Sequence, residues 1–315
     1  MTGRDDWLRA FSLVQKTIPF IGVNAVVYGA FVVVSLLWFG VWSALAIAAG
    51  AAELDLLVVG CLVVAISGWG AGASFLRRYV LYLVKGAHIA VMTEFLHRGT
   101  LPEDRSQFEY GREIVEENFE QIQLLFALDQ LLERAVQTFQ RELVQLAEWL
   151  PAVDNAERFA GVLAGIVDRA VRYVDEAILS HVVARGDGNP WKGAREGVVL
   201  YAQSWRPIMK TAGIVWMAHK VVVFAAFLLF LVPAVAWMLL VGSTVAQILG
   251  LVLAGAAAWA TVKALFEPFA TAYVLVVYHR TVAGEDPDPT WDRRLKAVSE
   301  AYRELAARAD AAAGG

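Results

Sequence analysis

The stretch from Val221 to Val262 reads VVVFAAFLLFLVPAVAWMLLVGSTVAQILGLVLAGAAAWATV and contains no charged residue. A second apolar stretch, Thr17–Leu76, contains only two charged residues, both within the turn-like segment Ala51–Leu56. Each stretch is long enough to cross a bilayer twice, because one crossing takes roughly 20 apolar residues. The stretch Val221–Val262 also has a turn-like break, near Val241–Thr244. The sequence therefore predicts an all-α polytopic membrane protein with four transmembrane helices in two hairpins, plus a helical domain between them.

The composition supports a membrane protein and argues against a nucleic-acid partner. Of the whole chain, 58% is hydrophobic and only 18% is charged, whereas a soluble domain carries roughly 25% charged residues. Residues 101–200 hold 18 acidic and 10 basic side chains, a net charge of −8. Nucleic-acid binding needs clustered lysine and arginine, so membrane lipid and protein are the expected partners. The single cysteine, Cys61, excludes an intramolecular disulfide.

Lysine and arginine residues flank all four predicted spans on the same side. Because these residues are enriched in cytoplasmic loops, both termini and the central region are predicted to be cytoplasmic. The two outer turns contain neither residue. The flanking basic residues are Arg4, Arg9, Lys16, Arg77, Arg78, Lys85, Arg98, Arg206, Lys210, Lys220, Lys263 and Arg280. We therefore expect a multi-pass protein of the cytoplasmic (inner) membrane of a prokaryote.

The chain divides into four segments on this interpretation. Residues 1–98 comprise an N-terminal amphipathic helix, the first hairpin and an apolar extension; residues 207–282 comprise the second hairpin and a similar extension. Residues 99–206 form the cytoplasmic helical domain, and residues 283–315 form a tail. Pro268 is expected to interrupt the second extension, because proline cannot donate a backbone hydrogen bond. The two extensions are expected to lie in the membrane interface in a monomer, or to pack together in an oligomer.

The central domain shows apolar residues at steps of three and four, which is the pattern of a coiled-coil seam. The seam comprises Leu125, Leu128, Leu132, Val136, Phe139, Leu143, Leu146 and Leu150. Asn189 is expected to cap a following helix whose first position is Pro190. Trp191 and Trp205, which come just before the third span, suit an interfacial position.

An internal duplication is one interpretation of the two hairpins. At a constant offset of 194 residues, Lys16-Thr17 matches Lys210-Thr211, and Tyr79-Val-Leu81 matches Tyr273-Val-Leu275. Apolar segments also match by chance, so coincidence is the competing interpretation. A true repeat would relate the hairpins by an axis along the membrane normal.

Small residues form two candidate helix-packing seams. Gly68 and Gly72 have the small-xxx-small spacing that lets helix backbones approach closely, and Gly250, Ala254 and Ala258 repeat it in the fourth span. The pattern predicts that the second and fourth membrane helices pair. A hinge at the glycines is the alternative.

Charged residues at the inner ends of the spans form a possible cytoplasmic mouth. These residues are Arg77, Arg78, Lys263 and Glu267. The alternative is that they are end-charges that extend toward the headgroups. No charged residue is predicted near the middle of a span, and this disfavours proton- or sodium-coupled transport, which usually keeps one there.

The chain contains no constellation that predicts catalysis. Glu94-Phe-Leu-His97 has the spacing found in di-iron bundles, but such sites need two copies of the motif and two further carboxylates. The five histidines are scattered, and neither a phosphate-binding glycine loop nor a nucleophile elbow is present. The sequence predicts no enzyme, no metal and no cofactor.

The segment Asn189-Pro-Trp-Lys-Gly-Ala-Arg195, with the hairpin that ends at Phe269 and Tyr273, resembles the C-terminal membrane segment of the choline-transporter-like family. The likeness covers roughly residues 175–290 and implies transport of a small solute. The chain departs from that family after the last helix, where Tyr278-His-Arg280 stands in place of a cysteine-containing acidic segment. The resemblance therefore assigns no substrate residue.

Three functions follow as hypotheses. The first is a self-associating channel or passive transport component, a homo-oligomer held together by its small-residue seams and long helices. The alternative is a membrane scaffold that recruits cytoplasmic protein partners through the acidic domain. The resemblance adds a third, a small-solute transporter.

Overall fold

The computed structural model describes residues 3–76, 82–102, 105–118, 122–147, 173–186, 188–241 and 244–312. Every regular element in these ranges is a helix, which confirms the predicted all-α class. Four helices are long and apolar enough to cross a membrane: Ile18–Ala51, Asp55–Ser74, Trp205–Leu240 and Gln247–Val282. Four membrane-spanning candidates were predicted, and four are found among the described residues.

The described residues form a succession of helices. In chain order they are α1 (Gly3–Lys16), α2 (Ile18–Ala51), α3 (Asp55–Leu76), α4 (Tyr82–His97), α5 (Gln107–Asn118), α6 (Ile122–Ala147), α7 (residues 173–185), α8 (Pro190–Gln203), α9 (Trp205–Val241), α10 (Thr244–Thr261), α11 (Glu267–Val282), α12 (Pro289–Val298) and α13 (Glu300–Ala311). A π-helical segment, Val262–Phe266, joins α10 to α11.

Contacts divide the chain into two units. The apolar unit contains Pro19–Val84 and Val222–Phe266, and the composite unit contains Met1–Ile18, Lys85–Val221 and Glu267–Gly315. This division differs from the four segments expected from the sequence. The contacts of α1, of most of α4 and of α11 group these helices with the central helices and not with the spans.

In the apolar unit, α3 packs against α2 and α10 against both α9 and α2. The indole Nε1 of Trp38 donates a hydrogen bond to the carbonyl of Ala65 across 2.9 Å, and the rings of Phe31 and Trp69 lie 4.7 Å apart. Most of the remaining apolar side chains face outward; Leu56, for example, is 86% exposed. Such a surface suits a lipid environment, since soluble monomers rarely expose apolar patches of this extent.

The interruption predicted at Pro268 is confirmed. Helix α10 ends at Thr261, the π segment follows, and α11 starts at Glu267 with Pro268 in its first turn. Proline lacks the N–H that would continue the ladder, and its ring crowds the carbonyl four residues earlier. The wider π turn accommodates both effects.

The composite unit buries both apolar extensions. Residues 87–93 of α4 and residues 270–278 of α11 are buried, and the rings of His97 and His279 at the ends of these helices lie 4.7 Å apart. A single chain therefore supplies the packing that we expected only in an oligomer. Helix α1 adds a further layer, with Ala10 and Leu13 buried against α11.

The predicted coiled-coil seam is covered inside the same chain where it is described. Leu128, Leu132, Val136 and Phe139 are buried, and α6 packs against α8 and α13. The side chains of the other seam residues, Leu125, Leu143, Leu146 and Leu150, lie outside the described residues. An intramolecular partner for the seam removes one reason to expect a coiled-coil oligomer.

Helix α8 begins as the sequence predicts, but one of its tryptophans does not lie where expected. The Asn189 side chain accepts a hydrogen bond from the Lys192 N–H across 3.0 Å, which confirms the cap. The interfacial position predicted for Trp191 is wrong, because the ring is only 9% exposed and lies beneath the Arg308 guanidinium, 4.8 Å from its centre. Helix α13, far along the chain, covers it.

The predicted repeat has a partial counterpart in the order of helices. A helix, two spans and a buried extension occur as α1–α4 and again as α8–α11. The helix boundaries do not coincide at the offset of 194, however. Lys16 ends α1, whereas Lys210 lies inside α9.

Candidate functional site

Polar side chains run along one side of α7 and face α4 and α11. Tyr173, Glu176 and Ser180 are spaced three and four residues apart, so they share a helix face, and all three are buried. We call these residues and their partners the polar column. The partners are Lys85, Thr93 and His97 on α4, and Glu267, Thr271 and His279 on α11.

An ion pair occupies the middle of the polar column. The Lys85 Nζ lies 2.9 Å from Glu176 Oε1, and the Glu176 side chain is 8% exposed. The Thr271 hydroxyl donates to the other carboxylate oxygen. A buried carboxylate is costly unless it is paired and hydrogen-bonded, and both conditions are met here. The Lys85 side chain is 38% exposed, so part of its charge is solvated.

Two further carboxylates lie near this ion pair. Asp175 is 5% exposed, and its Oδ1 accepts a hydrogen bond from the Glu176 N–H across 2.7 Å. Burial raises the pKa of Asp175 well above its ordinary value; Lys85 opposes the rise, and the charges of Asp129 and Glu176 add to it. Asp129, on α6, is 9% exposed, and its Oδ1 has no hydrogen-bond partner among the described residues. The cluster therefore favours a protonated Asp175.

One end of the polar column is a chain of neutral groups. The Ser180 hydroxyl lies 2.6 Å from the Thr93 hydroxyl and 2.7 Å from His279 Nε2. His279 Nδ1 lies 3.2 Å from His97 Nε2. A serine beside a histidine is the pairing found in hydrolases, but Ser180 has no solvent exposure. A substrate carbonyl cannot reach it, so we interpret this row of hydrogen-bonded side chains as structural.

The Glu94-x-x-His97 motif does not form a metal site among the described residues. Glu94 pairs with Arg98 across 2.9 Å, and His97 faces His279 instead of a carboxylate. Burial lowers the pKa of His97 against the opposing charge of Glu94. No group of three metal-binding side chains is found in the described part of the chain.

The residues of the predicted cytoplasmic mouth are only partly described. The Tyr173 hydroxyl donates to Glu267 Oε2 across 2.7 Å, and His219 Nε2 lies 3.8 Å from Glu267 Oε1. Glu267 is thus part of the polar column. Lys263 lies on the π segment, and Arg77 and Arg78 lie outside the described residues. The mouth stays a prediction.

Two of the predicted packing glycines lie against neighbouring side chains, and one does not. A Cβ on Gly68 would lie 2.7 Å from the Trp38 ring, and a Cβ on Gly250 would lie 2.8 Å from Met238 Cε. Nothing lies within 4 Å of a Cβ on Gly72. The close approaches at Gly68 and Gly250 are therefore to α2 and α9, the helices that precede them in the chain.

Helix α10 also reaches α2 in the apolar unit. The Trp259 ring lies 5.5 Å from Tyr28 and 5.7 Å from Phe31, and Ala254 and Ala258 are buried on the same helix. The described aromatic contacts of α10 are thus with α2. Among the described residues, no aromatic contact joins α10 to α3, the helix with which it was predicted to pair.

A groove lies between α2 and α10. It is a cavity of about 520 Å³, within the range of roughly 300–1,000 Å³ typical of small-molecule sites. Its lining is apolar or aromatic apart from two hydroxyls: Phe31, Val32, Ser35, Leu36, Phe39, Gly40, Ser43, Leu249, Val252, Ala256 and Trp259. The Ser35 hydroxyl donates to the Phe31 carbonyl across 2.6 Å. No charged side chain is found among the described residues that line the groove.

The groove was not predicted from the sequence, although Ser35 and Ser43 are polar residues within the apolar stretch Thr17–Leu76. Gly40 is the signal that could have suggested a recess, since it lies between the two serines and leaves open space beside α2. The second wall comes from α10, far along the chain. Pairing between such distant helices is not readable from local pattern.

Comparisons with known proteins give no assignment. No protein-family model matches the chain, and no curated protein or solved structure matches it significantly. The resemblance of residues 175–290 to choline-transporter-like proteins therefore stays a prediction. Function has to be argued from the groove and the polar column.

Proposed function

We propose that this chain is a non-enzymatic integral membrane protein of the passive transport class, and that its apolar unit takes up an apolar or amphiphilic molecule in the groove between α2 and α10. The observation that carries the proposal is the groove itself, an open recess in two helices that are candidate membrane spans. Ligand sites of membrane helical bundles lie between helices in this way.

The chemistry of the groove favours an apolar guest over an ion. The described residues of its walls offer two serine hydroxyls and no charge. An ion that entered would lose its hydration without replacement, which carries a large free-energy penalty. A hydrocarbon chain has no such hydration to lose. Aromatic rings at Phe31, Phe39 and Trp259 add flat apolar surface. Lipid or a lipid-like molecule is the guest that this lining accepts.

The proposed placement follows the positions of the basic residues. Four spans form two hairpins in the cytoplasmic membrane, with both termini and the composite unit on the cytoplasmic side. The groove is open along one side, so a second copy of the chain could cover it and enclose a path. Self-association of this kind fits the first sequence hypothesis and replaces the coiled coil as its basis.

A groove-filling substitution tests the proposal. Gly40 lines the groove and Gly60, on α3, does not, yet a Cβ at either position meets nothing within 4 Å. In nanodiscs, binding of nitroxide-labelled stearic acid should weaken about tenfold or more in Gly40→Leu, a loss of ~1.4 kcal/mol. Gly60→Leu is the matched control and should bind like the wild type.

Two results would contradict the proposal. The first is equal immobilisation of the labelled acid by wild type and Gly40→Leu, since the groove would then not be the site. The second concerns transport. Vesicles that contain the pure protein should move a fluorescent fatty acid between leaflets faster than empty vesicles, and unchanged rates at high protein density would exclude passive transport.

A small-solute transporter is a second candidate, favoured by the aromatic lining. Quaternary ammonium groups bind over aromatic faces, and three aromatic residues, Phe31, Phe39 and Trp259, line one cavity. Choline should then displace the labelled stearic acid from the wild type. Absence of displacement at saturating choline would leave the apolar guest as the better account.

A partner-recruiting scaffold is the third candidate. Glu109, Glu116 and Glu117 are exposed on α5, and residues 101–200 are strongly acidic. Co-purification of a basic cytoplasmic protein from native membranes, lost in a Glu116→Lys, Glu117→Lys variant, would favour this function. A chain that returns alone under mild detergent would count against it.

A further inference from the structure

Helix α1 is fixed to the composite unit by one face. Ala10 has no exposure and Leu13 is 4% exposed, and both pack toward α11. Arg280 of α11 forms an ion pair with Asp6, which is 2% exposed. The Trp7 ring lies 4.9 Å from that of Phe269. These contacts leave α1 a single orientation, so its opposite face is defined as well.

The opposite face of α1 carries three exposed apolar side chains. Leu8 is 59% exposed and Phe11 is 54% exposed, and Trp7 at their edge is 39% exposed. The three lie on one side of the helix, because Phe11 is three residues after Leu8 and four residues after Trp7. Apolar side chains clustered on one helix face mark an interaction surface.

Chain connectivity indicates what covers this face. Helix α1 ends at Lys16, and α2, a candidate membrane span, begins at Ile18. The end of α1 is therefore only two residues from a candidate membrane span. A helix that leads directly into a span and keeps an outward apolar face fits the interfacial type, which lies in the plane between headgroups and acyl chains.

The charges of α1 agree with a lipid surface. Arg4 and Arg9 are exposed, and Arg4 is four residues before Leu8, hence on the same face. The helix also ends in Lys16. Cationic side chains beside an inserted apolar face reach the phosphates while their stems lie along the acyl boundary.

We propose that α1 lies in the cytoplasmic-leaflet interface, with Leu8 and Phe11 among the acyl chains and Arg4 and Arg9 at anionic headgroups. The helix would then join the composite unit to the lipid surface through its other face. The inference does not depend on a guest in the groove, so the two proposals can fail separately. It assigns a lipid contact to this helix in particular.

Site-directed labelling of the full chain tests the proposal. Cys61 is the single cysteine, so a Cys61→Ser background accepts one nitroxide at Leu8→Cys or Phe11→Cys. Val298→Cys is the control, since this apolar residue is 41% exposed on α12, a helix of the composite unit that packs against α6, α8 and α13. The protein is reconstituted in vesicles of phosphatidylcholine and phosphatidylglycerol, and collisions with oxygen and with a water-soluble nickel chelate are measured.

The expected result is a clear separation of the α1 labels from the control label. Labels at positions 8 and 11 should collide several-fold more with oxygen, which partitions into lipid, and several-fold less with nickel than the label at position 298. Shielding from nickel should weaken in pure phosphatidylcholine. Substitution at exposed side chains leaves the buried face intact, and unchanged thermal unfolding of each variant in detergent checks this.

Three results would overturn the proposal. Labels at positions 8 and 11 that are as accessible to nickel as the label at position 298 would place α1 in water. Dipolar broadening between labels that disappears on dilution with unlabelled protein would show that a second copy covers the face. Equal shielding in vesicles with and without phosphatidylglycerol would remove the anionic headgroup from the account.

Discussion

Individual polar residues of the composite unit depend on partners that are distant in sequence. Glu176 is buried beside Lys85 and Thr271, which come from helices on either side of it in the chain. In the sequence, Glu176 follows Asp168 and Arg172 at a spacing of four residues, which is typical of exposed ion pairs on a helix. Local pattern carries no information on the distant partners that bury it. The polar column was accordingly not predicted, although several of its residues are titratable.

Removal of the Lys85 charge should destabilise the protein. In Lys85→Met the buried Glu176 keeps its hydrogen bond but loses its cation. Breaking a fully buried pair costs roughly 3–5 kcal/mol, and the partial exposure of Lys85 reduces the expected loss to about 1–3 kcal/mol. Chemical unfolding in detergent measures it. Lys192→Met, at an exposed position of α8, is the control, and an equal effect of both changes would contradict the role of the pair.

Acidification should weaken the folded state through His88. Burial lowers the pKa of His88 to about 3, whereas the unfolded side chain titrates near ~6.5. The unfolded chain therefore binds a proton first, and stability is lost as the pH falls from about 6.5 toward 3, with a slope that approaches ~1.4 kcal/mol per pH unit.

The difference between wild type and His88→Leu isolates this contribution. Asp175 has a raised pKa and so acts in the opposite direction, with stability that is lost as the pH rises. It is common to both proteins and cancels in the difference. Unfolding in detergent at pH 7, 6 and 5 should give a smaller pH slope in the variant, and equal slopes would contradict the assignment.

At the scale of helices, the sequence correctly predicted those features whose physical cause lies within the segment itself. The four apolar spans, the cap at Asn189 and the interruption at Pro268 follow from composition, hydrogen-bonding capacity and ring geometry. The burial of Trp191 did not follow, since α13 covers it. The seam around Leu132 was identified correctly as apolar, but its partners are helices of the same chain.

The packing of α3 on α2 gives a prediction with a matched pair of glycines. A Cβ on Gly68 would lie 2.7 Å from the Trp38 ring, whereas a Cβ on Gly72, one turn later, would meet nothing within 4 Å. Gly68→Leu should therefore displace Trp38 and cost about 1–3 kcal/mol. Gly72→Leu should be neutral or slightly stabilising, because leucine favours the helix over glycine. Resistance to unfolding by dodecyl sulfate measures both, and equal behaviour would exclude the contact.

At the scale of the whole molecule, a long-range assembly distinguishes the structure from the sequence-based outline. Segments from three parts of the chain form the composite unit, and α4 and α11, which continue the predicted hairpins, lie in its core. Hydropathy marked these helices as extensions of the spans. Hydropathy could not show that α7 contacts both α4 and α11 through polar side chains.

The central proposal is a four-span protein whose outer turns and composite unit lie on opposite sides of the membrane. Labelling of single cysteines in a Cys61→Ser background with a membrane-impermeant maleimide tests it most directly. Ala52, in the turn between α2 and α3, and Val298, in the composite unit, are both exposed. Ala52→Cys should be labelled in intact cells, and Val298→Cys only after permeabilisation. Labelling of Val298→Cys in intact cells, or protection of Ala52→Cys until permeabilisation, would contradict the account.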